Sequence, residues 1–439
     1  MIDIKYIREN ADKIQKTAKL KHIDIDIARL VNIADERKNL QIKIDELRTR
    51  RNKIASFGKK KKPSKEQIEE GRTIKTELAS LEERFRVLDY EFGNLMVKVP
   101  TIQSDDTPIG KDDSENVEVF KWKEPTQFDF EPKDHIQLGK DLDLIDTERG
   151  VKVAGYRGYY LKNEAAGLQL ALMIYALNKL ILKGFTPIIP PTLIREFALF
   201  GSGYFSGKEY NPEVDEIYKI ENTEKMSDGS IKKENKFLIG TAEPALLAYY
   251  ANEILEDKNL PIKMCGFSQC YRSEIGSYGK DTKGIYRVHE FMKIEQVCLT
   301  RADIKESEKY HQEMIEISKE LHEELELPYR QLAICTGDLS AGKYKMFDLE
   351  AWIPSKNSYG ETGSASNFLD WQSRRLNVRY RDKNNEIKYV YMLNNTALAS
   401  ARTIIAILEN FQQADGSVLI PKVLRPFMPN KIKKIERKS

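Results

Sequence analysis

The stretch that decides the fold is YRSEIGSYGKDTKGIYRVHEF, Tyr271 to Phe291. An arginine and a glutamate open it two residues apart, three glycines and several charges fill it, and a second arginine closes it. Residues 263 to 274 and 287 to 299 on either side are strand-like, which predicts an antiparallel hairpin with a long tip. Strand side chains alternate between faces. Arg272 and Glu274 therefore share one face, and Arg287, Phe291 and Glu295 share a face on the partner strand. Brought together, these groups put two cations, two carboxylates and an aromatic ring on one floor. A guanidinium fork suits phosphate oxygens, and Phe291 offers a surface on which a base can stack. The set is ATP-shaped. A surface hairpin laced with cross-strand ion pairs fits the same spacing equally well.

Two further segments bear on the choice. YGETGSASN, Tyr359 to Asn367, follows a strand pattern and brings Glu361 and Ser364 close together. A carboxylate and a hydroxyl are hard oxygen ligands suited to Mg²⁺ on phosphates. Their three-residue spacing puts them on opposite faces of a regular strand, but Gly363 allows a bulge that turns both inward. NNTALASARTIIAILENF, Asn394 to Phe411, reads as a strand end running into an apolar helix. Arg402 lies one turn after Leu398 and one before Ala406 on that helix. A buried cation is costly unless it meets an anion, which a triphosphate or a neighbouring carboxylate would supply. No G-x-x-x-x-G-K-[ST] occurs, and no G-x-G-x-x-G follows a strand and opens a helix, so a bound nucleotide is not held by those fingerprints.

The first quarter has a different texture. Ile33, Leu40, Leu47 and Ile54 recur every seven residues, and Ile74, Leu78, Leu81, Phe85, Leu88, Phe92 and Leu95 alternate steps of four and three. That is a coiled-coil seam. FGKKKKPSK, Phe57 to Lys65, breaks it with a glycine and a proline. Ser64 caps the second helix, helped by Gln67. The expected object is a projecting antiparallel helical hairpin over about residues 31 to 98, each helix about 30 residues and roughly 45 Å long. Its tip is basic, and Arg48, Arg50 and Arg51 stand on the shaft before it. It reads as a nucleic-acid probe that touches phosphates, or as a scaffold hairpin with a solvated charge run or a localisation signal.

The remainder bounds the answer. With 439 residues there is room for more than one domain. Charged residues make up 32% but the net charge is only +3, so any nucleic-acid contact comes from local patches. No stretch reads as long enough to cross a membrane, and MIDIKYIREN is too polar and acidic for a secretory signal. Cys265, Cys270, Cys298 and Cys335 include no pair with the two-residue gap of a zinc or redox motif. They read as reduced thiols of a cytoplasmic protein, with no zinc expected, and the five histidines form no cluster. Residues 99 to about 150 read as a connector. From Gly155, strand-like runs alternate with helix-like ones at 165 to 182, 244 to 256, 303 to 326 and 397 to 412. Asn222 to Lys236 reads as a mobile surface excursion.

In this order and spacing the segments resemble the seryl-tRNA synthetases, class II aminoacyl-tRNA synthetases, over almost the whole chain. KGFTPIIPP, Lys183 to Pro191, is similar to the family's first motif, Tyr271 to Phe291 to its second, and NNTALASAR to its third. GTAEPALL, Gly240 to Leu247, resembles the threonine-x-glutamate segment of the serine pocket. The resemblance implies an α+β fold, a class II antiparallel sheet flanked by helices behind the coiled-coil arm. It implies an N-terminal tRNA-binding domain over residues 1 to 105, a catalytic domain over 106 to 439, and a homodimer. The activity implied is ATP-dependent conversion of L-serine to seryl-adenylate and transfer to the 3′ end of tRNA-Ser, with tRNA-Sec left open as a second acceptor.

The resemblance also implies roles. Arg272 grips the α-phosphate and the serine carboxylate, Glu274 the adenine amino group, and Arg287 and Arg402 the terminal phosphates. Phe291 and Arg402 sandwich the adenine, with the backbone at Val288 against the base. Ser273, Thr362 and Gly363 complete the ATP site, and Glu361 and Ser364 bind Mg²⁺. Arg272, Arg402 and Glu361 carry catalysis. Thr241, Ala242, Glu243, Arg272, Glu295, Asn394 and Thr396 form the serine site. The arm lies across the long variable arm of the tRNA. Against the commonest family pattern, Gly363 and Ala365 stand where serine and cysteine are frequent, Glu290 where glutamine is, and Thr396 where serine is. Thr396 keeps the hydroxyl but adds a methyl, which leaves the pocket's shape open. A related ligase that loads a carrier protein lacks the arm. A scaffold with a degenerate core would lack the arginines or Glu361, and all are present.

Overall fold

A computed structural model describes residues 2–58, 64–205, 207–275 and 283–437. The lysines of the arm's tip, Lys59 to Lys62, and the centre of the glycine-rich loop, residues 276–282, lie outside the described residues. The chain divides into two compact units, Met1–Ile102 and Gln103–Ser439.

The first unit is helical: α1 Ile4–Glu9, α2 Ala11–Leu20, α3 Ile27–Gly58 and α4 Lys65–Lys98. The two long helices have 32 and 34 residues, about 50 Å each at 1.5 Å per residue. Ile33 and Leu40 bury against Leu88, and Ile44 against Ile74 and Leu78, with Leu47, Ile54, Leu81 and Phe85 packed alongside. The sevenfold series catches only half of the α3 seam. The other half holds Ile44 and Arg37, whose guanidinium lies 4.1 Å from the Phe92 ring centroid and lays its stem over the apolar stripe. The capping box forms as its residues predict: Ser64 Oγ accepts from the Gln67 amide at 3.2 Å, and Gln67 Oε1 accepts from the Ser64 amide at 3.0 Å. At the other end of the hairpin, Ile7, Ile14, Ala18, Ile27, Leu30, Met96 and Val99 form a second core. Arg48 and Arg50 pair across the hairpin with Glu82 and Glu70. These pairs are exposed, so each contributes less than about 1 kcal/mol.

The second unit is built on an eight-stranded sheet: β1 Val117–Trp122, β2 Thr186–Ile188, β3 Ile262–Tyr271, β4 Glu290–Thr300, β5 Tyr329–Ala333, β6 Lys345–Ile353, β7 Ser358–Asn367 and β8 Tyr391–Ala399. The spatial order is β1-β5-β6-β7-β8-β4-β3-β2. Every pairing is antiparallel except β2 on β3. Helices α5 His135–Asp141, α6 Asn163–Leu182, α7 Ile304–Glu324 and α8 Ser400–Asn410 supply residues to one continuous core with the sheet. Ile294 and Cys298 of β4 enter that core, and Gln296 between them donates to the Met314 carbonyl of α7. The odd-numbered residues of β4 therefore look the other way.

Several expectations change. The connector is not a linker throughout, because β1 takes an edge of the sheet and α5 joins the core. The helix expected over 244 to 256 runs only from Glu243 to Ala248 and gives way to a strand at Ile254–Glu256. The excursion at 222 to 236 is a β-hairpin, Lys219–Lys225 with Ile231–Leu238, extended by Leu193–Arg195. Among the described residues, one helix does reach membrane-spanning length and apolarity, the 20-residue α6. Half of its most apolar window is buried, where Leu168, Leu172, Ala176 and Leu180 pack on the core. Its other side carries exposed Leu170, Ile174, Ile181 and Leu182.

The hairpin core is expected to govern the first unit's stability. Leu78→Ala, at a site 3% exposed, should cost about 2–5 kcal/mol and strip amide-exchange protection from α3 and α4. Arg48→Ala should leave that protection nearly unchanged.

Candidate active site

β3 and β4 pair without a shift, from Glu290 opposite Tyr271 to Leu299 opposite Ile262. That unbroken register sets Phe291, Lys293 and Glu295 in a row on the face away from the helices. The strands are shorter than their sequence suggests: β3 stops at Tyr271 and β4 begins at Glu290. Arg272 and Glu274 thus lie past the strand end, and Glu274 adopts φ +55°, a left-handed conformation that a glutamate adopts at some cost. Arg402 is also placed differently: Leu398 belongs to β8, so Arg402 sits in the first turn of α8.

A cleft open to solvent lies over this face. Of the expected ATP-site residues, Arg272, Glu274, Arg287, Val288, Phe291, Glu361, Thr362, Gly363 and Arg402 line it, together with Tyr286 and Lys293. The Arg272 guanidinium lies 5.5 Å from the Phe291 ring centroid, and its Nε donates to the Gly240 carbonyl at 3.2 Å. Arg402 lies 4.7 Å from the Tyr286 ring centroid and donates to the Glu361 carboxylate at 3.0 Å and carbonyl at 2.9 Å. The buried cation thus meets a carboxylate, one of the two anions its sequence context allows. Glu274 Oε2 takes contacts from Arg157 at 3.2 Å and Arg287 at 3.3 Å.

Two expected residues face elsewhere, and a third, Ser364, is also absent from the cleft's lining. Thr362 turns its hydroxyl to the Leu349 carbonyl and lies 2.8 Å from His322 Nε2, so only its backbone is left for a nucleotide. Ser273 is not among the cleft-lining residues; its amide donates to the Glu216 carbonyl.

The bulge between Glu361 and Ser364 exists. Asp348 pairs with Ser364, Leu349 with Gly363 and Glu350 with Glu361, leaving Thr362 as the extra residue. An extra residue in a three-residue step returns Glu361 and Ser364 to one face. Ser364 hydrogen-bonds Asp348, whose Oδ1 is buried with no hydrogen-bond partner among the described residues. Burial and the neighbouring Glu361 charge push the Asp348 carboxyl well above the usual range. Three hard oxygen donors, one without a partner, are a chemistry that fits Mg²⁺.

Beside the cleft lies a buried cluster of polar side chains. Glu243, 5% exposed, accepts on Oε1 from Gln372 at 2.7 Å and Asn394 at 2.8 Å, and on Oε2 from the Tyr204 hydroxyl at 3.2 Å. Burial, and next the Glu295 charge, push its carboxyl up to about 7. Thr241 Oγ1 is buried without a partner among the described residues. Ala242 instead serves the core: a Cβ on Gly266 would stand 2.6 Å from the Ala242 Cβ, so the close approach of this segment to β3 requires glycine. The four cysteines are buried and unpaired with one another. Burial raises the Cys265 thiol to about 12.

Sequence reasoning passed over Tyr204, Gln372, Asp348, Tyr286, Arg157 and Lys293. Lys293 was legible, since it stands between Phe291 and Glu295 at strand spacing. Tyr286 sat inside the quoted loop. Tyr204 and Gln372 carry no local signal, because each reaches Glu243 from a distant helix or turn.

Known proteins bear on this geometry. Residues 1–103 match the family model described as the seryl-tRNA synthetase N-terminal domain, and residues 218–411 the tRNA synthetase class II core domain (G, H, P, S and T). The serine–tRNA ligase of Borrelia garinii subsp. bavariensis is 44% identical over 432 residues, 97% of each chain. That of Treponema denticola is 40% identical, over 97% of this chain and 98% of the other. The chain belongs to the seryl-tRNA synthetase family. The Pyrococcus horikoshii seryl-tRNA synthetase, solved with ATP, superposes with a TM-score of 0.85 at 37% identity over the full length of both chains. The cytoplasmic enzyme of Naegleria fowleri, solved with AMP, gives 0.83 at 29% identity, covering 100% of this chain and 99% of the other. The large, mostly antiparallel sheet flanked by helices is the class II synthetase core, and the two long helices fit the family's coiled-coil arm.

The raised Glu243 carboxyl is expected to make a contribution to stability that falls as pH rises. Its ordinary value is 4.5 and its folded value about 7, so the folded state holds the proton more tightly. That contribution is present at low pH and is lost as pH rises through about 7. Glu243→Gln should remove the slope, and the difference between parent and variant unfolding free energies should change by on the order of 2–3 kcal/mol from about pH 4 to pH 8.

Proposed function

We propose that this protein activates L-serine with ATP and transfers the seryl group to the 3′ end of tRNA-Ser. The observation that carries the reading is the pairing of two sites across Arg272. On one side is a cleft lined by Phe291, Arg287, Glu361 and Arg402. On the other is a buried polar cluster around Glu243. A zwitterion suits that cluster: Glu243 takes the ammonium, and Arg272 takes the carboxylate and turns it toward the α-phosphate.

The serine carboxylate attacks the α-phosphorus, the bond to the bridging oxygen breaks, and pyrophosphate leaves with that electron pair. No covalent enzyme intermediate is involved. The arginines align the reactants and neutralise charge as it shifts on the phosphates. Glu361 and Ser364, with Asp348 beside them, would hold Mg²⁺, which supplies charge neutralisation on the phosphate oxygens. A ribose hydroxyl of the tRNA then attacks the seryl carbonyl and releases AMP. A polar pocket that hydrogen-bonds the serine hydroxyl rejects alanine by leaving polar groups unpaired.

The remaining assignments belong to the same proposal. The hairpin of α3 and α4 contacts tRNA, reading backbone and shape rather than sequence. Two copies associate, a reading supported by the exposed apolar side of α6 and by Ile189, which is 83% exposed just after β2. The protein acts in the cytoplasm on soluble substrates.

Amino-acid-dependent ATP–pyrophosphate exchange tests the reading without tRNA. Serine should support exchange, and threonine, alanine and glycine should not. Arg272→Lys should lower kcat/KM for serine about 10²–10³-fold with the fold intact. Exchange with a different amino acid would overturn the serine assignment. The KM for serine should also rise as pH falls below about 7, because protonated Glu243 no longer attracts the ammonium.

A further inference from the structure

Lys293 is a buried cation that none of the roles above uses. Its side chain is 5% exposed and that of Glu295 is 3% exposed. Its Nζ lies 2.6 Å from Glu295 Oε2 and donates to Thr396 Oγ1 at 3.1 Å. Thr396 Oγ1 in turn donates to the same Glu295 Oε2 at 3.3 Å. The three groups close a triangle in which the threonine hydroxyl uses its one proton on Glu295 and accepts from Lys293. Among the described residues, no hydrogen bond reaches Glu295 Oε1.

The triangle fixes more than a charge. With its oxygen held on two sides, the β-branched Thr396 has one rotamer left. Its methyl then faces Gly363: a Cβ at Gly363 would stand 3.8 Å from Thr396 Cγ2 and 2.9 Å from the Thr396 carbonyl oxygen. What a side chain at 363 would crowd is the Thr396 backbone carbonyl, while the methyl would be in ordinary contact with that side chain.

Charge counting gives the triangle its purpose. Glu243 and Glu295 are both buried and lie close enough for the Glu295 charge to act on Glu243. A zwitterion offers one ammonium and one carboxylate, which Glu243 and Arg272 match. A second bare carboxylate would repel the substrate carboxylate and compete for the ammonium. We propose that Lys293 is the positioning residue for serine selection. It neutralises Glu295, locks Thr396, and leaves Glu295 Oε1 as the acceptor for the substrate hydroxyl. The proposal rests on the serine-activation reading and adds a residue that acts through Glu295.

The test is a double-mutant cycle read by serine-dependent exchange, with Lys293→Met, Glu295→Gln and the double variant. Lys293→Met should raise the KM for serine about 30-fold or more while the KM for ATP stays within about threefold. The double variant should be no worse than Glu295→Gln alone, because with Glu295 uncharged the triangle that holds Thr396 is already open and Lys293 stands as an unmatched cation beside the substrate ammonium. It also removes both buried charges together, so it folds even if Lys293→Met, with its unpaired carboxylate, does not. An unchanged KM for serine in folded Lys293→Met would overturn the proposal. So would a rise in the KM for ATP instead, or a double variant clearly worse than Glu295→Gln. Failure of the parent protein to exchange with serine would overturn the serine reading itself, a separable result.

Discussion

The structure of the site depends on one unbroken ladder, β3 against β4. A slip of one residue would send Phe291, Lys293 and Glu295 into the helical core and bring Ile294, Gln296 and Cys298 to the cleft. Apolar burial prevents this. Ile294 and Cys298 are 0% exposed against the helices, and Gln296 is tied to α7 through its amide. The polar row exists because the apolar row behind it has nowhere else to go.

Setting charge on a dry floor creates a second constraint, that each charge be matched. The protein meets it by local pairing: Arg402 with Glu361, Arg287 and Arg157 with Glu274, and Lys293 with Glu295. Glu243 is one exception. It is held by three neutral donors and carries a carboxyl raised to about 7. In the proposed reading Glu243 takes the substrate ammonium, and Asp348, with its Oδ1 partnerless among the described residues, stands beside the residues that would hold Mg²⁺.

Irregular backbone supplies what straight strands cannot. The bulge at Thr362 returns Glu361 and Ser364 to one face. A shift between Ile294 and Glu295 in the pairing of β4 with β8 brings Thr396, rather than Ala397, opposite Glu295. Without those two extra residues, the carboxylate and hydroxyl pairs of the site would be split across the sheet.

The sequence by itself determined the arm and the chemistry of the cleft. A seam of apolar residues at coiled-coil spacing has one way to bury itself, and the capping box at Ser64 is complete within four residues. Arginines flanking a glycine-rich loop, and Glu361 beside a glycine, are local patterns read by local rules. Only the tertiary structure decided which partner each charge meets. Tyr204 and Gln372 reach Glu243 from 39 and 129 residues away in sequence, and no periodicity encodes that distance. The expected mobile insert is a hairpin whose two strands pair with each other, and Leu193–Arg195 meets only its last residues. The membrane-length apolarity of α6 arose because one side packs on the core while the other stays exposed. Propensity and spacing act over a few residues, whereas burial of charge is settled by whatever the finished fold brings alongside.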